Sequence, residues 1–470
     1  MVTRVEIELR KPSMKGKFDD VYIHIVKENE ITISTNINFD FNPLFGFTRD
    51  KESVAFDFLF FSVLIYNIDR FVNRHNYSLE GWTRDIEVVN MPILHLSEFL
   101  SIKEQMDGAI SFLTGDIWNI NYVQSEGLLY DPPKRIKDWS NLNEFQKVCL
   151  FSGGLDSLIG AIDELEGIQN GKILLISHKD LGKEGVDQDS ILTKFKNQQL
   201  FNGKYDQIQT SVGIGRKKTG LKFDLEATFR SRSLLFIGMG IYVANKIGPN
   251  IPLIIPENGT IALNIPLMPS RRSACSTRTT HPAFLNRLQI ILSEIGIKNQ
   301  MHNPYEFKTK GEMVEETNNK MILNQLIDLS CSCAKRSHTY FWEAEKEKIS
   351  KYNIHHCGMC LPCIYRRVSL HLNGLDKNAD IHYGTDVFDE KAFDIDNMKL
   401  KSPRDFRTLL EFINKKPTIE LIEKELLING MNDVTSIGKY ASVVERTIKQ
   451  IIEWINSSQN ENIKRKAGLR

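Results

Sequence analysis

The chain has 470 residues, 41% hydrophobic and 25% charged, which is the balance of a folded globular protein and excludes a largely disordered one. At roughly 100–200 residues per domain there is room for two or three domains. The formal net charge of +1 gives no global pull toward nucleic acid or an acidic membrane surface, so neither is expected as a partner.

The opening MVTRVEIELRKPSMKGK lacks an apolar stretch followed by a small-residue cleavage site, so no secretion signal is expected and the location is read as cytoplasmic. Residues 1–130 read as one α+β unit. Val5 to Leu9 and Val21 to Ile25 alternate apolar and polar, the period of a strand. Residues 51–75 carry a strongly apolar helix. Its richest run, Phe58 to Tyr66, is shorter than the ~20 residues that span a bilayer, so a buried helix is expected. Arg84 to Val88 is strand-like, a helix follows near 97–112, and Ile117 to Val123 alternates again. Trp82, Arg84, Asp85 and Trp118 read as packing and salt-bridging residues. Asp131-Pro132-Pro133-Lys134 marks a linker, because consecutive prolines remove donors and force extended backbone.

From residue 145 to 330 strand and helix patterns alternate: strands at 147–151, 173–176, 205–210 and 252–256, helices at 157–166, 188–201 and 226–246. Such alternation predicts an α/β domain built on a doubly wound parallel sheet. Residues 331–375 hold a cysteine cluster, and 385–470 read as a helical extension.

The first strand of the α/β domain runs into Ser152-Gly153-Gly154-Leu155-Asp156-Ser157 and then a helix. Glycines let backbone approach phosphate oxygens, and a helix N-terminus offers free amides and a positive dipole end to an anion. Ser152 and Ser157 add hydroxyls. Asp156 would repel phosphate unless it holds Mg²⁺, which bridges phosphates. No G-x-x-x-x-G-K-[ST] occurs, which excludes a kinase-type phosphate loop, and Gly213-Ile214-Gly215 lacks the third glycine of a dinucleotide loop.

Of seven cysteines, five fall between Cys331 and Cys363, and Cys357, Cys360 and Cys363 are evenly spaced. That clustering points to a metal site, and four thiolates make a closed, structural zinc site. Either Cys331 or Cys333 completes the set; an iron–sulfur cluster would use the same ligands.

An SGGxDS loop after a strand resembles the PP-loop ATPases, which split ATP between the α and β phosphates. With Cys357-Gly-Met-Cys360-Leu-Pro-Cys363 and Arg366 downstream, and Pro304 to Glu312 before it, the region 147–370 is similar to QueC, the 7-cyano-7-deazaguanine synthase family. The resemblance implies ATP, Mg²⁺ and Zn²⁺. It implies a carboxylate of a deazaguanine adenylated at Asp156, Ser157 and Arg232, then captured by an amine. The Leu329-Ser330-Cys331 context resembles the family segment before its first zinc ligand, so Cys331 joins Cys357, Cys360 and Cys363 as the expected set. The chain departs from QueC in its N-terminal unit, its C-terminal helices, the insertion Lys335 to Ile354, and a block running from Glu257-Asn258-Gly259 through Arg271-Arg272 to Arg278, Thr279, Thr280 and His281. In these it resembles the longer QueC-like proteins of bacterial anti-phage operons, the QatC type and one CBASS component, which implies a partner protein as acceptor. A homodimer is a further expectation.

Ser152, Gly153, Gly154, Asp156 and Ser157 are therefore expected to bind ATP, with Arg230 clamping an anion and His178 at the end of a sheet strand. Glu257, Asn258, Arg278, Thr279 and His281 are read as substrate-binding. Other readings are stand-alone nitrile synthesis, PP-loop tRNA modification, and a nucleotide-binding scaffold without turnover.

Overall fold

The computed structural model describes residues 2–469 apart from 12–19, 29, 127–129, 138, 140, 180–181, 221–223, 269–277, 337, 378, 391–392 and 397–403. The alternating segments form strands as their period demands. In chain order these are β1 (Val2–Leu9), β2 (Val21–Lys27), β3 (Glu30–Phe39), β4 (Asp85–Ile93), β5 (Ile117–Gln124), β6 (Phe145–Leu150), β7 (Lys172–His178), β8 (Tyr205–Thr210), β9 (Val212–Gly220), β10 (Leu253–Ile254) and β11 (Met301–His302). They make two sheets: a mixed one ordered β5-β4-β1-β2-β3-β9 and a parallel one ordered β11-β10-β6-β7-β8.

Helices cover both faces of the parallel sheet, as strands apolar on both sides require. Val148, Leu150, Leu174 and Ile176 face the Arg232–Ile247 helix, whereas Cys149, Phe151, Ile173 and Leu175 face the Leu155–Gly167 helix. The sheet's end carries the glycine loop. Helix 155–167 can lie close to the chain leaving β10 because residue 160 is glycine; a Cβ there would meet Pro256 Cβ at 2.3 Å.

The N-terminal unit is not a separate body. After β8 the chain crosses to the other sheet and adds β9 beside β3. The Val54–Phe71 helix, capped by the Ser53 side chain (3.1 Å to the Phe56 amide), is buried on nearly every side. It packs on helix 232–247 where Gly238 faces Ser62, and a Cβ on Gly238 would lie 2.6 Å from Ser62 Oγ. One hydrophobic core therefore runs from β1 through both helices to β6 and β7.

A buried ion network locks the same junction. Arg84 Nη2 reaches Asp69 Oδ1 and Asp116 Oδ2, both at 2.5 Å. Arg74 joins Asp116 at 2.5 Å and Glu226 at 3.6 Å. The Ser231 amide and hydroxyl donate to Asp69 at 3.0 and 2.7 Å. Burial raises the Asp69 carboxyl, but Arg84 and Arg74 outweigh it and hold it below the usual range. These bonds explain why the helix expected from 226 begins at Arg232: Glu226 instead caps Arg74, Ala227 and Thr228 amides.

Downstream, the helices Leu361–Leu372, Arg404–Asn414, Ile437–Asn456 and Glu461–Lys466 pack around Trp454, and Ile419–Ile428 packs with Tyr440, Val443 and Leu263 in a smaller core. The Ile437–Asn456 helix braces the parallel sheet domain: Thr447 and Thr260 hydroxyls meet at 2.7 Å and Arg446 grips Glu312 at 2.6 Å. Among the described residues no helix is long and apolar enough to cross a membrane.

Candidate active site and metal centre

The loop Ser152–Gly154 leaves the carboxyl end of β6 and enters helix 155–167. Gly153 has φ +83°, a backbone region costly for any residue with a Cβ, and its neighbour Gln188 would sit 3.2 Å from that Cβ. Three successive amides point at hydroxyls: Gly153 to Ser157 Oγ (3.1 Å), Gly154 to Ser152 Oγ (3.4 Å) and Leu155 to Ser332 Oγ (3.4 Å). Bonds to neutral hydroxyls at these lengths are readily exchanged for shorter, charge-assisted ones to an oxyanion. The buried Gln188 ties the loop to β7, donating to the Ser152 and His178 carbonyls at 3.2 and 3.1 Å.

Asp156 lies beneath the loop, buried. Lys310 Nζ meets one carboxylate oxygen and Asn258 Nδ2 donates to the other at 2.6 Å. Asn258 also caps its own short helix, accepting from the Ile261 amide at 3.1 Å. Lys310 is placed by a capping box, Thr309 with Glu312, at the start of the Lys310–Glu315 helix. Burial raises the Asp156 carboxyl, yet Lys310, Glu257 and Asn258 together hold it below the usual range. Glu257 goes the other way. Burial and the Asp156 charge push it well above a normal carboxyl, which favours a proton shared with Asp156. The pair is a hard-cation donor set, and the Lys310 ammonium already sits against it.

The structure thus joins Ser152, Gly153, Gly154, Asp156, Ser157, Glu257 and Asn258 in one place. Arg232 starts its helix at the same sheet end but pairs with Glu184 at 2.7 Å. Arg336 is likewise paired with Asp187, next to Gln188.

Other expected site residues lie elsewhere. His178 is wholly buried between Tyr66 and Phe236, with Nε2 3.1 Å from the Val212 carbonyl and amide. Burial lowers its pKa to about 3, so it is a neutral core residue and not the expected nucleotide contact. Arg230 does not clamp an anion; it donates to the Thr114 carbonyl at 2.7 Å, drawn in by the junction network. Burial and neighbouring Arg74 lower it to about 10. Arg278 is directed away from the loop as well, to the Phe112 carbonyl (3.0 Å) and Asn429 (3.3 Å). His281 is the N-cap of the Pro282–Glu294 helix and stands edge-on to Phe112. Thr279 occupies the half-buried turn between them. Arg278 thereby stitches the N-terminal unit to the C-terminal helices. Arg271 and Arg272 fall outside the described residues.

The metal set is Cys333, Cys357, Cys360 and Cys363, whose sulfurs lie within 4.8 Å of one another. The 3.8 Å between Cys357 and Cys363 sulfurs matches the edge of a tetrahedron with Zn–S of about 2.3 Å. Backbone amides support thiolates: Cys357 and Lys335 donate to Cys333 Sγ at 3.2 and 3.3 Å, and Cys360 to Cys357 Sγ at 3.3 Å. Gly358 makes the turn with φ +81°, and a Cβ there would strike the Thr385 carbonyl at 2.1 Å. The donor chemistry and spacing fit zinc. The expected fourth ligand, Cys331, is corrected to Cys333. Cys331 is anchored through its amide to the Gly153 carbonyl (3.0 Å), which leaves its sulfur beside the His355 carbonyl at 3.7 Å.

Residues with no role expected from sequence are Lys310, Gln188, Ser332 and Arg336. Lys310 lies in the Pro304 to Glu312 stretch singled out by its resemblance to QueC, and its capping pattern, Thr309 with Glu312, was a second signal in the sequence. Compared with known proteins, the chain matches no family model, no curated protein and no solved structure.

Proposed function

We propose that this chain is a PP-loop enzyme of the QueC-like type, which adenylates a carboxylate and passes it to an amine. The observation that carries the reading is the glycine loop at the end of a parallel strand, with hydroxyl-capped amides above and the Asp156–Glu257–Lys310 cluster below. The parallel sheet with helices on both faces supports a doubly wound PP-loop fold, and the four-cysteine set supports the QueC-like branch.

In this reading the amides of Gly153, Gly154 and Leu155 and the hydroxyls of Ser152 and Ser157 hold the pyrophosphate end of ATP. Mg²⁺, when bound, neutralises charge on the phosphates. Asp156 and Glu257 would hold it, with Glu257 ionised. The substrate carboxylate attacks the α-phosphorus, the bond to the bridging oxygen breaks, and pyrophosphate leaves. Lys310 and Arg232 are the cations that would stabilise charge developing there, once their present partners yield. An amine then displaces AMP. The substrate class is 7-carboxy-7-deazaguanine or a relative, and the setting is anti-phage defence with a partner protein as acceptor.

Pyrophosphate release from ATP and 7-carboxy-7-deazaguanine tests the chemistry. Wild type should turn over and Asp156→Ala should not; equal release removes the reading. Intact-mass measurement of the neighbouring operon product after incubation tests the acceptor. An unmodified product would count against the partner protein as acceptor.

A further inference from the structure

The metal centre and the glycine loop are separated by two residues. Cys331 donates its amide to the Gly153 carbonyl at 3.0 Å. Its own carbonyl lies 3.5 Å from where a Cβ on Gly154 would stand. Ser332 Oγ accepts the Leu155 amide at 3.4 Å, and the Ser332 amide donates to His356 Nε2 at 3.3 Å, beside Cys357. Cys333 is then a member of the four-sulfur set. Arg366 closes the same segment from behind, donating to Ser330 Oγ at 2.9 Å and to the Ile327 carbonyl at 2.6 Å. Gly153 has no other backbone tie to this segment, and glycine at φ +83° has wide conformational freedom to lose.

We propose that Cys331-Ser332 is a positioning strap, through which metal held by Cys333, Cys357, Cys360 and Cys363 sets the shape of the loop and its affinity for the phosphates of ATP. The four sulfurs come from two chain segments, Cys333 on one and Cys357, Cys360 and Cys363 on the other, joined otherwise only by weak bonds such as the Cys357 amide to Cys333 Sγ. Metal binding fixes Cys333, and Cys333 fixes the strap. With the metal removed, residues 331–333 gain freedom and the Gly153 carbonyl loses its fixed external donor, the Cys331 amide. Cys331 then acts through its backbone, which accounts for a cysteine beside the cluster that ligates nothing in it. This inference rests on the proposed ATP site only for the affinity readout.

The test compares four samples: wild type with zinc, wild type depleted by a chelator, Cys331→Ala, and Cys331→Pro, which deletes the amide while Cys333 remains. Ser330 has ψ 138°, compatible with a following proline. ATP affinity should fall about five- to tenfold in the depleted protein and in Cys331→Pro, the worth of one hydrogen bond. Hydrogen exchange of the 153–157 amides should accelerate in both. Cys331→Ala, which keeps the amide, should retain zinc, affinity and protection. Unchanged exchange on zinc removal overturns the strap whether or not ATP binds, and loss of affinity in Cys331→Ala assigns the effect to the thiol instead. If wild type with zinc binds no ATP, the proposed function fails while the exchange comparison still decides the strap. Should Cys331→Pro not fold, the two wild-type states carry the test.

Discussion

Two buried charge clusters sit in this molecule and are composed differently. At the junction, Asp69, Asp116 and Glu226 face Arg74, Arg84 and Arg230, so positive and negative groups match. Under the glycine loop, Asp156 and Glu257 face Lys310 alone, and burial with the Asp156 charge raises the Glu257 carboxyl well above its ordinary value. The first cluster is closed. Taking any member away leaves an unpaired charge in a low-dielectric interior. The second sets two carboxyls against one ammonium, a balance that the proposed Mg²⁺ would complete. Buried charge is therefore not by itself a mark of function; the balance within the cluster separates a lock from a site.

The largest expected effect tests the closed cluster. Arg84→Ala should lower unfolding free energy by about 3–5 kcal/mol, because Asp69 and Asp116 remain buried without their shared partner. Urea denaturation reads this, and a loss below about 1 kcal/mol would end the contrast. Lys310→Met should cost less, about 1–3 kcal/mol, because Asp156 keeps Asn258 and can take a proton in place of the ammonium. Equal losses in the two variants would show that both clusters are structural.

The smallest effect is in pH dependence. A carboxyl raised on folding contributes stability that is present below its ordinary value, 4.5 for Glu257, and is lost as pH rises through the raised value. Wild type should therefore lose stability on going from acid to neutral pH on account of this group. Glu257→Gln should flatten that slope and gain about 1 kcal/mol at neutral pH. A slope unaltered by the substitution would place the shared proton elsewhere. The same proton gives a binding signature: Mg²⁺ added to wild type should release protons in a weakly buffered titration, and added to Glu257→Gln it should release fewer.

Much of this was legible in the chain itself. The strand–glycine–helix succession at 147–166 and the spacing of Cys357, Cys360 and Cys363 are short-range patterns, and local geometry carries them directly into structure. Period-two alternation likewise marked β1, β2 and β5. What the chain did not disclose depends on contacts between distant segments. β9 joins the N-terminal sheet, and Arg230 turns into the junction because Thr114 and the network await it there. His178 ends a strand, where ligands commonly bind, but the N-terminal helix brings Tyr66 over it and closes it off.

The cysteine cluster divides the same way. Sequence settled that three sulfurs converge, since spacing of three residues about one glycine turn leaves little choice. The tertiary structure decided that Cys333 is the fourth, because the backbone of Cys331 is already committed to Gly153. It also decided that Lys310, far along the chain, stands against Asp156. Composition and spacing set which groups a chain owns and how near neighbours face. Which buried charge meets which is set by how the sheets and helices pack, since only packing brings residues this far apart within a hydrogen bond of each other.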